Sequence, residues 1–489
     1  MSGAPRVLRS LGQLVASELA IKVFSLAFFM LLARRAGAEG LGSWTYAFTF
    51  VSLFLYLFNF ALGTLYTREA AARPGAAQEL LDRYLPLRLA LLGAGIALLV
   101  PAACLLHRQA SPWLVLVFGA SLAMGMLGEL FRAVFRARQR MGYEAGLNFL
   151  ERAGSALLGA GALLLGFRLV GVAAAWSVGA LAAALAAVAL ARRAGIRWPQ
   201  RFELRDSSAV LRQALPLVLL GVFGSIYFRQ DVLLLRWLRT EREVGLYGAA
   251  YRLFEMFVFL PGSLSLAYLP AAAAARSESL ESLRKLFRRA MALSFSLGCP
   301  LALMAAFRTD EAVRLLFGAG FAESVPAAQV LVWTLPLYFA NTVVRSTLIV
   351  GRPRLPAVAV AAAIVANAAL NLAWIPRMGI TGAAWATLLT EVFLFLLQGV
   401  FVLRDLRVAD LVAPLGPPVL ACAGLAGVLW FGRGLSLWPA LAVGAVAYAV
   451  LGTALRLWTP EEWRALLPGG LRPESLPVAP GTQGGGMGR

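Results

Sequence analysis

Charged side chains recur inside the most apolar stretches of this 489-residue chain, and they are its first candidates for chemistry. They are Glu18 and Lys22, Glu129 and Arg132, Glu151 and Arg152, Arg229 and Asp231, Arg252 and Glu255, Arg345 and Glu391. An ionisable group in an apolar helix is costly unless it faces a bundle interior or a wet cavity, so each is a functional candidate. Spacing sorts them. Glu18 and Lys22 lie four apart, Glu129 and Arg132 three, Arg252 and Glu255 three, so each pair shares a helix face and can neutralise itself. Arg229, Asp231 and Arg345 have no same-face partner; Arg345 lies near a helix end and can extend its head to the interface. Arg229 and Asp231 point in different directions, toward other helices.

Cations gathered in an enclosed space suit an anion, and the arginine fork matches phosphate oxygens bidentately. Arg252, Lys22 and Arg229 are therefore the expected substrate-binding cations, with Arg132, Arg345 and Asn59 as secondary candidates. Asp231, Glu18 and Glu255 are the expected coupling or charge-balancing acids, the coupling ion being a proton or sodium. Asn59, Asn148, Asn341, Asn367 and Asn371 can meet sugar hydroxyls or tie helices together. Catalytic signatures are absent: the sequence has no phosphate loop, His-Glu-x-x-His pair or Cys-x-x-Cys. Cys104, Cys299 and Cys422 are too dispersed for a metal site or disulfide framework, and the one histidine, His107, falls at a helix end. No metal, organic cofactor or enzymatic activity is expected.

The elements that must position these groups are membrane helices. The chain is 60% hydrophobic and only 14% charged, against about 25% charged in soluble domains, with a mean hydropathy of +0.75. Apolar runs long enough to cross a bilayer predict about fourteen helices, near 11–34, 44–66, 84–106, 113–135, 145–166, 169–191, 212–235, 246–269, 290–306, 325–350, 355–375, 381–403, 411–431 and 437–457. Of the 45 Lys and Arg, 27 fall on the side shared by the N-terminus, 11 on the other and 7 inside helices. The positive-inside bias then places both termini in the cytoplasm. That topology accounts for the net charge of +20 without invoking nucleic acid. Basic loops such as 192–212 and 276–289 are set to meet anionic lipid headgroups.

The chain also repeats itself. Residues 42–73 align without gaps onto 245–276 at an offset of 203, pairing Gly42 with Gly245 and Ala70-Ala71-Ala72-Arg73 with Ala273-Ala274-Ala275-Arg276. A second pair, 168–176 with 377–385, shares Arg, Ala-Ala and Trp at an offset of 209. Six helices per unit give both copies one orientation, a parallel repeat of the transporter type. The expected organisation is an N-terminal lobe 1–198 (helices 1–6), a connector 199–210, a C-terminal lobe 211–407 (helices 7–12), an added helix pair 408–458 and a Pro/Gly-rich tail 459–489, largely disordered.

Three segments carry a family resemblance. Leu211-Arg-Gln-Ala-Leu-Pro216, Tyr227-Phe-Arg-Gln-Asp231 and Glu243-Val-Gly-Leu-Tyr-Gly-Ala-Ala-Tyr-Arg252-Leu resemble the central signature of bacterial Wzx-like polysaccharide flippases, of the multidrug/oligosaccharidyl-lipid/polysaccharide (MOP) exporter superfamily. Gly379-Ile-Thr-Gly-Ala-Ala-Trp-Ala386 resembles a later stretch of that family. The resemblance implies two six-helix lobes around a cavity in a bacterial inner-membrane protein. It also implies movement of a polyprenyl-pyrophosphate-linked oligosaccharide, a surface polysaccharide unit, to the outer leaflet. Basic residues of helices 1 and 8 line the cavity in related lipid-carrier flippases, and Lys22 and Arg252 occupy those helices here. The expected partners are the lipid-linked glycan, membrane lipids and other polysaccharide assembly proteins. The rival readings are a lipid II flippase, a multidrug antiporter, which calls for a more acidic cavity, and a membrane glycosyltransferase or polymerase, which calls for a large acid- or His-bearing external loop.

Overall fold

The computed structural model describes residues 4–105, 111–199, 204 and 207–458, with side chains from Ala20 onward except Pro74, Pro216, Leu217 and Leu220. The Glu18 side chain, His107, most of the connector and the tail from 459 lie outside the described residues. Among the described residues seventeen α-helices follow one another: α1 (Ala4–Asn59), α2 (Leu62–Ala72), α3 (Ala77–Leu105), α4 (Pro112–Ala137), α5 (Met141–Leu164), α6 (Leu169–Arg193), α7 (Ser207–Leu238), α8 (Glu241–Glu255), α9 (Phe259–Glu278), α10 (Leu280–Phe307), α11 (Thr309–Phe317), α12 (Val325–Val332), α13 (Thr334–Gly351), α14 (Leu355–Val402), α15 (Val408–Val412), α16 (Gly416–Phe431) and α17 (Leu437–Ala454). The described residues contain no strand.

Ten stretches of the described residues are long and apolar enough to cross a membrane, so this is a multi-pass membrane protein. Two of them, Ala20–Asn59 and Leu355–Val402, are 40 and 48 residues long, about twice the span of a bilayer. Each breaks at a glycine, Gly37 (φ 68°, ψ −171°) and Gly379 (φ 58°, ψ −135°), backbone settings that only glycine adopts without strain. Both helices fold back there. The rings of Phe28 and Trp44 are 5.1 Å apart, where a straight helix would separate them by roughly 24 Å. Asn367 likewise donates to Thr390 at 3.1 Å across the Gly379 turn.

The packing divides the molecule lengthwise. At one end a single apolar core, including Phe28, Trp44, Val51, Phe118, Tyr247, Phe254 and Leu331, draws on both halves of the chain. At the other end there are two separate cores. One is built from α2–α7 around Tyr66, Tyr84 and Phe131; the other is built from α9, α10, α13, the end of α14 and α15 around Phe287, Met291 and Val344. The extensive contacts between the halves all run through α1, against α7, α8, α11 and the 319–324 turn. The result is a V, fused at one end and parted at the other. Helices α16 and α17 pair with each other and lean on α10, outside both arms.

At the fused end the repeat is visible as geometry. A Cβ on Gly42 would lie 1.9 Å from the Glu241 carbonyl oxygen, and a Cβ on Gly245 would lie 1.8 Å from the Ala38 carbonyl oxygen. Ala38 and Glu241 are themselves 203 apart, so the contact is reciprocal in the manner of a two-fold interface. Gly42 and Gly245 sit on that pseudo-axis, and their missing side chains let α1 and α8 cross backbone to backbone.

Candidate functional site

The cleft of the V holds the cationic groups. Helix α8 is started by a capping box, in which Thr240 Oγ1 accepts from the Glu243 N–H at 3.3 Å and the Glu243 carboxylate accepts from the Thr240 N–H at 3.3 Å. It runs about four turns and places Arg252 and Glu255 in its last turn. Beyond it the backbone tightens, Phe257 N–H donating to the Phe254 carbonyl and Val258 N–H to the Glu255 carbonyl, before α9 begins. Arg252 Nη1 donates to Glu255 Oε2 at 3.1 Å, the same-face pair expected from the spacing. The Arg252 guanidinium also lies 3.4 Å from the ring centroid of Phe29 on α1, so a cation–π contact holds it flat across the cleft.

Three further cations, Lys22 on α1, Arg152 on α5 and Arg229 on α7, lie within electrostatic reach of the same Glu255, and Arg229 also faces Arg252. Arg229 stands 5.8 Å from the Phe48 ring. Four cations thus surround one described anion. The Arg252 and Glu255 side chains remain 25% and 37% exposed. Among the described side chains the cluster carries more positive than negative charge. Arg152 was visible in the sequence, but with Glu151 beside it nothing in the spacing set it apart as a cleft residue.

The remaining candidates are engaged elsewhere. Arg132 does not pair with Glu129, three residues away; it reaches across to Glu151 on α5. Glu129 instead binds Arg88 at 3.1 Å and Arg136 at 2.5 Å, and Arg136 continues to Glu144 at 2.8 Å. Same-helix spacing misled here because α4 is packed on three sides, and partners on α3 and α5 reach the buried face first. Asn59 ends α1, where Phe60 and Ala61 adopt positive φ of 48° and 45°. The fully buried Arg88 donates to the Asn59 carbonyl at 2.9 Å and to its side-chain oxygen, satisfying acceptors that the break leaves free. Gly63 leaves the room, since a Cβ there would lie 2.0 Å from Glu129 Oε1. Arg345 is half-buried on α13, within electrostatic reach of Tyr338 and Glu391.

Asp231 takes a different environment from its neighbour Arg229. It is buried and accepts three hydrogen bonds, from Tyr247 at 2.9 Å, Thr387 at 2.7 Å and Asn371 at 2.9 Å. Asn371 leads on to Asn367 at 2.8 Å, and Asn367 to Thr390 at 3.1 Å. Glu391, also buried, accepts from Tyr227 at 2.6 Å and Asn341 at 2.7 Å. The asparagines of this half are therefore bound to acids and to one another.

This architecture, a polytopic helical body parted at one end about a pseudo-two-fold axis, is shared by solved membrane transporters. A lipid II flippase, MurJ, in an inward closed conformation superposes with a TM-score of 0.76 at 12% identity, over 90% of this chain and 98% of that one. An inward-facing multidrug resistance MATE family transporter superposes at 0.63 and 18% identity, over 79% and 95%. A MOP superfamily transporter from Pyrococcus furiosus superposes at 0.56 and 14% identity, over 81% and 95%. No curated protein sequence matches the chain. The chain belongs to the family described as polysaccharide biosynthesis protein, whose model matches residues 7–275.

Proposed function

We propose that this protein flips a polyprenyl-pyrophosphate-linked oligosaccharide, the repeat unit of a surface polysaccharide, from the cytoplasmic to the outer leaflet of the inner membrane by alternating access. The observation that carries the reading is the cluster of Lys22, Arg152, Arg229 and Arg252 around Glu255 in the cleft. A pyrophosphate entering such a cleft loses hydration and regains it as charge-assisted hydrogen bonds. Its prenyl tail stays in the bilayer between the arms of the V. The parted end carries the basic loops, so by the positive-inside rule it faces the cytoplasm, where the substrate is made. Each negative charge moved outward gains about 2.3 kcal/mol per 100 mV of inside-negative potential. Asp231 serves as the coupling or charge-balancing acid of the C-terminal half, with a proton or sodium ion as its partner.

Translocation of a fluorescent polyprenyl-pyrophosphate oligosaccharide in proteoliposomes tests the reading. The Lys22→Ala/Arg252→Ala double variant is expected to insert normally and to lose about a hundredfold or more of the rate, two charge-assisted contacts at about 1.5–3 kcal/mol each. Unimpaired flipping by that variant would remove the cleft from the mechanism. A second reading, lipid II as the substrate, is favoured by the likeness to MurJ and shares the pyrophosphate chemistry. Lipid II as the alternative probe separates the two, since preference for it would exchange one glycan for the other.

A further inference from the structure

We propose that Glu391 is a proton-binding site of the C-terminal half, distinct from Asp231: it takes up and releases one proton inside the membrane. Two buried polar groups carry this, each from its own geometry. Glu391 is 3% exposed and joins three helices, since Tyr227 of α7 donates to Oε1 at 2.6 Å and Asn341 of α13 donates to Oε2 at 2.7 Å. Among the described residues no cation lies within ion-pair distance of it. Arg345 of α13 faces it from further off, and Tyr338 of α13, Tyr251 of α8 and Asp231 of α7 complete the titratable surroundings. A carboxylate there has two neutral donors and no counter-ion in contact, and an uncompensated buried charge is expensive.

The second observation is the other end of the same amide. Asn341 is 3% exposed, and its Oδ1 has no hydrogen-bond partner. With Glu391 charged, the Asn341 NH₂ donates to the carboxylate at 2.7 Å and to the Glu391 backbone carbonyl at 3.1 Å, and its oxygen is left idle. With Glu391 protonated, the carboxyl O–H becomes a donor, and an Asn341 amide turned by half a revolution accepts it through Oδ1, exchanging the bond to the backbone carbonyl for the one from the carboxyl O–H. The pair is thus built to serve two protonation states, the idle acceptor of one being the acceptor of the proton in the other. Room for the exchange exists: Glu391, Asp231, Thr387 and Thr390 line one small cavity with space for about one water molecule. The step balances simply, a proton from that water or its successors converting –COO⁻ to –COOH and returning the same way.

Infrared difference spectroscopy of the full chain in lipid vesicles, stepped in pH, reads this without any transported substrate. Its outcome is therefore independent of the flippase reading. A protonated-carboxyl band that appears on acidification and moves with ¹³C-glutamate labelling is expected in the wild type. It should be lost in Glu391→Gln and kept in Asp231→Asn, and Glu391→Asp should restore a protonated-carboxyl band that no longer moves with ¹³C-glutamate. Asn341→Ala, which deletes the alternating acceptor, should move the band's midpoint by one pH unit or more, a tenfold change in proton affinity. A wild-type protein with no labelled glutamate band, or a band untouched by Glu391→Gln, overturns the proposal; so does an Asn341→Ala midpoint equal to that of the wild type. The labelled wild type and Asn341→Ala keep the test decisive should Glu391→Gln fail to fold.

Discussion

The two arms of the V come from one repeated plan, yet among the described residues only the C-terminal arm, beside its arginine-paired Asp405 and Asp410, also holds buried acids on neutral donors. In the N-terminal arm every described acid of the interior is tied to arginine: Glu129 to Arg88 and Arg136, Glu144 to Arg136, Glu151 to Arg132. In the C-terminal arm Asp231 and Glu391 are held by tyrosine, threonine and asparagine alone. A matched ion network is locked, because changing the charge of one member leaves another buried and unpaired. An acid surrounded by neutral donors can exchange its counter-ion for a proton or metal ion and keep its hydrogen bonds. The locked network suits a rigid wall for the cleft, and the proposed coupling role falls to the acids held by neutral donors.

That contrast can be broken from either side. The largest effect is expected from Arg88→Met, which leaves Glu129 with Arg136 alone and removes the donor to the Asn59 carbonyl. It should lower stability by about 3–5 kcal/mol, read as an early thermal transition in detergent, and Arg88→Met/Glu129→Met should recover most of the loss. If Arg88→Met alone leaves the transition in place, the network is not the rigid wall described. Gly63→Ala, which drives a methyl into the Glu129 carboxylate, should cost about 1–3 kcal/mol by the same assay. Asp231→Asn sharpens the comparison from the other arm: its fold should stay within about 1 kcal/mol of the parent, because an amide can keep most of the hydrogen bonds, while dependence of transport on an ion gradient disappears. A large stability loss there with coupling intact would reverse the roles assigned to the arms.

Much of this was legible in the sequence, for reasons that particular residues make plain. Apolar length is a local property, so each predicted helix segment falls within one or two of the described helices, Gly37 and Gly379 marking turns that the run lengths demanded. Arg252 and Glu255 pair as their spacing implies because both lie on one exposed face of α8. Arg88 was passed over, and Arg132 was given the wrong partner, because a buried guanidinium chooses among neighbouring helices and spacing along one helix contains no information about them. Asn341, Asn367 and Asn371 read equally well as sugar contacts or helix ties until the positions of Asp231 and Glu391 decided it. Glu391 stood among the interior acids with nothing local to single it out; the idle oxygen of Asn341, fifty residues away, is what does so.

The Gly42–Gly245 crossing has a historical consequence. A residue on a two-fold axis meets its own copy, so in a homodimer of six-helix subunits any side chain there would have collided with itself. Glycine at that place satisfies both copies at once. After two such genes fused, the constraint would have passed to two separately mutable codons, and both still specify glycine. The joint between the arms thus has the form of a dimer interface written within one chain, its two-fold-related contacts falling on Gly42 and Gly245 alike.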